Sequence, residues 1–173
     1  MDPRYPIGEY AFTGEITAAQ REQWIREIET LPTRLRQAVA GLSEDQLNLP
    51  YREGGWTLRQ VVHHLADSHI NAYTRFKLAL TEETPTIRPY HEDRWAKLPD
   101  YEGDIEASLL LLEALHRRWT HLLRSLSEED FERSFHHPES GKTTSLAYNL
   151  GNYAWHGNHH LAHITALRTR LDL

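Results

Sequence analysis

Apolar residues recur at three- and four-residue steps along four long stretches of the chain. In the first, Trp24, Ile25, Ile28, Leu35 and Val39 fall on one face, the spacing of an amphipathic helix. Thr17 can cap this helix and Gly41 can close it. Pro32 is expected to kink or restart it, because proline removes a helical hydrogen bond. Ser43 and Gln46 form a capping-box pattern for a short helical turn, and Pro50–Gly55 read as a loop. Thr57 opens a second long helix to about Thr81, with Leu58, Val61, Val62, Leu65, Ala72, Phe76 and Leu80 in phase. Asp104 caps a third, carrying Ile105, Leu109, Leu112, Leu115, Trp119, Leu122 and Leu126. Ser127 starts another short turn, and residues 136–142 form a loop or hairpin. The last helix spans about Thr144 to Arg170.

Four long amphipathic helices without a convincing alternating strand indicate an all-α bundle. Residues 1–16 read as an extended N-terminal arm. Residues 84–103, with Pro85, Pro89, Pro99 and Gly103, read as a long crossover or lid. The whole chain, 1–173, is expected to form one domain. A weak repeat supports two related halves. Leu42-Ser43-Glu44-Asp45 returns as Leu126-Ser127-Glu128-Glu129-Asp130, and His63-His64-Leu65-Ala66 returns as His159-His160-Leu161-Ala162. This places His64 and His160 in equivalent positions. Trp24, Trp95 and Trp119 are expected in the core.

The chain lacks cysteine, which excludes disulfides, thiolate metal sites and a cysteine nucleophile, and fits the cytoplasm. The segment Met1–Tyr10 lacks the apolar stretch of a signal peptide, and no run is long enough for a membrane span. The net charge is −6 with scattered basic residues, which argues against nucleic acid as a partner. Twelve histidines change the picture, since ordinary usage would give roughly four. They gather internally at His63, His64 and His69, and again at His156, His159, His160 and His163.

Histidines four apart on a helix can chelate one ion. The last helix offers His156 with His160, and His159 with His163. At about 100° per residue, His160 lies about 60° and His156 about 100° from the apolar stripe, against roughly 160° for His159 and about 120° for His163. His156 and His160 are therefore the inward pair. His163 could support a ligand, and His159 is expected to face solvent. The motif lacks the glutamate of the zinc-peptidase helix. For the third ligand, helical phase points to His69 and the repeat points to His64, so periodicity leaves the choice open. Asp67, one turn from His64, could orient a ligand or accept a proton. Its phase also suits an exposed carboxylate.

At these residues the chain resembles the YfiT group of the DinB-like superfamily, whose members are described as metal-dependent hydrolases. Related members act as bacillithiol S-transferases. The resemblance is carried by Tyr5–Tyr10, Gly54–His69, Arg75–Pro85 and Trp155-His-Gly-Asn-His-His-Leu-Ala-His-Ile164. It implies a four-helix bundle of up-down-down-up arrangement and one metal held by His64, His156 and His160. His64 is chosen because the family's ligand directly precedes Leu-Ala. It also implies a cytoplasmic homodimer.

Three neutral histidines around zinc or nickel leave open positions. Such an ion lowers the pKa of bound water toward about 7, which suits hydrolysis of a small molecule. It can equally hold a thiol cosubstrate and aim it at an electrophile, and the absence of cysteine fits a thiol that arrives from outside. Thiol transfer, with bacillithiol as the donor implied by the resemblance, is the leading expectation. Hydrolysis is the alternative, and a metal-binding protein without turnover is a third. Metal affinity is expected to fall as the pH drops through about 6.5.

Overall fold

The computed structural model describes residues 2–173. Four long helices dominate: α1 (Ala18–Val39), then, after the short α2 (Glu44–Leu47), α3 (Leu58–Thr81). After a short α4 (Glu92–Trp95) come α5 (Ile105–Arg124), a short α6 (Glu128–Glu132), the strands β1 (Ser134–His137) and β2 (Lys142–Ser145), and α7 (Leu146–Leu171). Each long helix begins at a side-chain cap. Thr17, Thr57, Asp104 and Ser145 accept from the backbone N–H of Gln20, Gln60, Glu106 and Tyr148, which satisfies amides left free at a helix start.

α1 runs unbroken through Pro32, which corrects the expected restart. A proline inside a helix leaves the carbonyl one turn earlier without its partner, at a cost of about 3 kcal/mol or more. Here that carbonyl belongs to Ile28, and it accepts instead from His116 Nδ1 at 2.6 Å.

α1 packs against α5 and α7, and α3 packs against the same two helices. The consecutive helices α1 and α3 therefore stand on a diagonal. The paired residues give the directions. His63 meets Ser108 and His69 meets His116, so α3 and α5 run parallel. Ser68 meets Tyr153 while His64 meets His156, so α3 and α7 run antiparallel. Arg34 bonds Asn158 and Arg168 bonds the Ala38 carbonyl, so α1 and α7 run parallel. The bundle is up-down-down-up. Residues 84–103 are the crossover that joins the parallel α3 and α5. They are held by Gln60 Nε2 donating to the Ala96 carbonyl and Arg59 to the Gly103 carbonyl.

The repeat extends into structure. α2 and α6 both carry capping boxes. The Pro50–Thr57 bridge precedes α3 as the β1–β2 hairpin precedes α7. The histidine strings do not mark equivalent positions, however. His64 stands seven residues after its cap Thr57, and His160 fifteen after Ser145.

The core has two apolar clusters. One holds Trp24, Ile28, Phe76, Trp119, Phe131 and Leu150, the other Leu31, Leu35, Leu58, Leu65, Leu112 and Ile164. Between them, at the middle of the bundle, lies a layer of buried histidines, among them His69 and His116. Trp24 and Trp119 are core residues as expected, but Trp95 is 36% exposed and rests on Tyr90 in the crossover. Among the described residues no helix is long and apolar enough to cross a membrane.

Candidate metal centre

α3 and α7 face each other where His64 and His156 project, and His160 lies one turn further along α7. The three offer one nitrogen each, all within 4.8 Å of one another. His64 Nε2 and His156 Nε2 are 3.2 Å apart. Two donors at about 2.0–2.1 Å from a tetrahedral ion stand about 3.3 Å apart, so this pair fits a divalent metal. His64 and His160 are buried and His156 is half-buried, so the cluster sits at the edge of the core. Trp56 covers the His64 ring at 4.6 Å between centroids. Gly157, between the two α7 histidines, admits Leu31 of α1. A Cβ there would lie 2.5 Å from Leu31 Cδ2.

The rings are held neutral. Burial pushes His64 down to about 4. Burial first, then neighbouring histidines, hold His156 and His160 well below the ordinary value. Neutral imidazole is the ligating form. The far nitrogens of two of the three are occupied. His156 Nδ1 lies 3.2 Å from His69 Nε2, and His69 Nδ1 lies 2.8 Å from His116 Nε2. His160 Nδ1 lies 3.3 Å from His163 Nδ1, and His163 Nε2 donates to the Arg4 carbonyl at 3.1 Å. His64 Nδ1 is buried without a partner among the described residues. His159, His160 and His163 also bring nitrogens together. Both nitrogens of His163 are engaged in hydrogen bonds, so this group supports the first cluster.

A cavity of about 320 Å³ reaches His160, lined also by Tyr51, Arg52, Trp56 and His163. A larger cavity of about 570 Å³, by Arg59, Gln60 and Tyr101, touches none of the three histidines.

Residues 27–164 match the DinB superfamily. The chain belongs to that superfamily. It is 59% identical over 172 residues to a protein of Oceanobacillus iheyensis named "Putative metal-dependent hydrolase", covering 99% of each chain. A protein of Bacillus mycoides with the same name is 56% identical over 171 residues, covering 99% of this chain and 98% of the relative. The solved structure of YfiT from Bacillus subtilis superposes with a TM-score of 0.97 at 51% identity, over 99% of both chains. It is described as "a probable metal-dependent hydrolase with an unusual four-helix bundle topology".

In this DinB-superfamily bundle, the structure brings His64, rather than His69, to His156 and His160. His69 is fully buried behind His156. His163, the other residue expected to support a ligand, places its Nδ1 3.3 Å from His160 Nδ1. Asp67 does not reach the three histidines. Its Oδ2 accepts from Tyr101 Oη at 2.6 Å, and burial raises its pKa. His159 does not face solvent. It is 7% exposed, stacked on Trp155 at 4.5 Å with Tyr5 of the arm beside it. Helical phase could not show this, because part of the cover, Tyr5, comes from the arm rather than a helix. His116 was passed over in the sequence. Its signal was a histidine set among the apolar positions of α5, where a buried imidazole needs a partner.

Proposed function

We propose that this protein is an enzyme in which His64, His156 and His160 hold one divalent ion, zinc or nickel, that activates a low-molecular-weight thiol against a small electrophile. The observation that carries the reading is the meeting of three neutral imidazoles from two helices, with Nε2 atoms of His64 and His156 3.2 Å apart. When bound, such an ion lowers the pKa of a coordinated thiol or water and supplies a nucleophile near neutral pH. The chain's own residues then bind and orient. His69 and His163 hold two of the ligand rings, and Trp56 shields His64 from water. Arg52 lines the cavity at His160, where it donates to Tyr51 Oη and the Glu53 carbonyl and to no carboxylate among the described residues, which suits an anionic cosubstrate. Bacillithiol is the donor suggested by the resemblance.

Transfer is favoured over hydrolysis because Asp67, the carboxylate nearest in sequence to His64, is committed to Tyr101. No other acidic side chain joins the histidine group among the described residues. Hydrolysis of a small molecule is the second reading, favoured by the names of the relatives. Zinc- or nickel-loaded protein incubated with bacillithiol and a chromogenic electrophile should form the thioether faster than the His64→Ala variant. Equal rates would overturn transfer. Acid release from simple esters by the wild type alone would establish hydrolysis in its place.

A further inference from the structure

A single string of hydrogen bonds crosses all four long helices. It begins at His156 on α7, passes His69 on α3 and His116 on α5, and ends on the Ile28 carbonyl of α1. The distances are 3.2, 2.8 and 2.6 Å. His69 and His116 are 0% and 1% exposed, so water does not compete for these bonds.

The far end dictates the order of protons. A carbonyl only accepts, so His116 Nδ1 carries the hydrogen and its Nε2 is bare. His69 Nδ1 must then donate to that bare nitrogen, which leaves His69 Nε2 bare in turn. His156 Nδ1 donates to it. His156 Nε2 is left with a free lone pair, and this is the nitrogen facing His64. Pro32 makes the end available. Any other residue at 32 would bring a backbone N–H to the Ile28 carbonyl, and His116 would have to share that acceptor.

We propose that His69 and His116, anchored on the Ile28 carbonyl that Pro32 leaves free, are positioning residues that fix which nitrogen His156 presents to the metal. This rests on the proposed metal site, and it assigns a purpose to a proline that α1 would otherwise be better without.

The proton order can be read without any substitution. Long-range proton–nitrogen spectra of the metal-free wild type should show His69, His116 and His156 each protonated on Nδ1. Protonation of any of them on Nε2 overturns the proposal. Zinc affinity, measured by competition with a chromogenic chelator, should fall about tenfold in Pro32→Ala. The melting temperature of the metal-free variant should change little, because the gain of alanine over proline in a helix offsets the weakened bond of the buried His116 N–H. A merely structural role would lower both. His116→Gln, which keeps a donor and an acceptor, should retain more affinity than His116→Leu, and the reverse ranking counts against the relay. Zinc binding that survives His64→Ala overturns the metal site itself. Zinc binding that needs His64 yet ignores Pro32→Ala overturns the relay alone.

Discussion

Lowering the pH from 7 to 5 should destabilise the metal-free protein by about 4 kcal/mol through His64 and His116 alone. Both are buried, and burial pushes each down to about 4. In the unfolded chain each titrates near 6.5. Between these values the native ring is neutral while the unfolded ring is charged. The unfolded state therefore binds more protons, and stability rises with pH. The loss begins as the pH falls through about 6.5 and is complete below about 4. At pH 5 each group has given up about 2 kcal/mol. His69, His156 and His160 shift in the same direction and add to the effect. The carboxylates lowered by arginine or backbone partners, such as Glu29, Glu106 and Asp130, lose their contribution at lower pH, so in the window from 7 to 5 the histidines dominate, opposed only by Asp67, whose pKa burial raises. Urea unfolding of chelator-treated protein at constant ionic strength measures the effect. A change below about 1 kcal/mol across that window would mean that the histidine layer is hydrated or charged in the native state, and the reasoning would fail.

Four further outcomes follow from the same geometry. In the folded protein, protons should displace zinc only well below the 6.5 expected of free imidazoles, because burial holds His64 near 4; a titration showing affinity breaking at 6.5 would contradict this. Zinc at about a hundred times its Kd should add about 2.7 kcal/mol, or about 5–10 °C of melting temperature for a chain of this size, and His64→Ala should abolish the gain. Gly151→Ala places a Cβ 2.8 Å from two atoms of the Trp24 ring. The helix gains about 1 kcal/mol but overpacking costs about 1–3 kcal/mol, a net loss of up to about 2 kcal/mol, so calorimetry should show a melting temperature lower by up to about 8 °C. Asp67→Asn should leave zinc affinity within about twofold of the wild type in the chelator assay, because its carboxylate faces Tyr101 and not a ligand ring.

The four helices were legible because each has a continuous apolar stripe, and three of them because a cap, Thr17, Thr57 or Asp104, marks the start; the cap of α7, Ser145, emerged only in the structure. The His156–His160 pair was legible from its spacing and phase. The third member was not, and the reason is physical. Phase ranks residues by depth, and His69 is indeed the deeper of the two α3 candidates, at 0% against 5% exposed. The meeting point lies at the flank of the stripe, where α3 turns toward α7, and the deepest position instead backs His156. Pro32 misled in a related way. Read locally it breaks a helix, and only the α5 side chain opposite Ile28 shows where the freed carbonyl is satisfied. The same limit hid the burial of His159, which depends in part on Tyr5, far away in the sequence.

A layer of uncharged imidazoles between two apolar clusters would be a poor choice if stability were its only purpose. Leucines would fill the space without polar atoms to satisfy, and would not weaken the protein in acid. The histidines are tolerable because each ring can donate at one nitrogen and accept at the other, so one buried ring satisfies the next without water. That property also carries direction. A string ending on a backbone carbonyl has one proton order, and the ring at its other end presents a bare nitrogen at the edge of the core. Leucine could fill the volume but could not transmit this order. The layer therefore makes sense as the support of a site that needs imidazole lone pairs held in fixed directions, which is the demand a metal makes of its ligands.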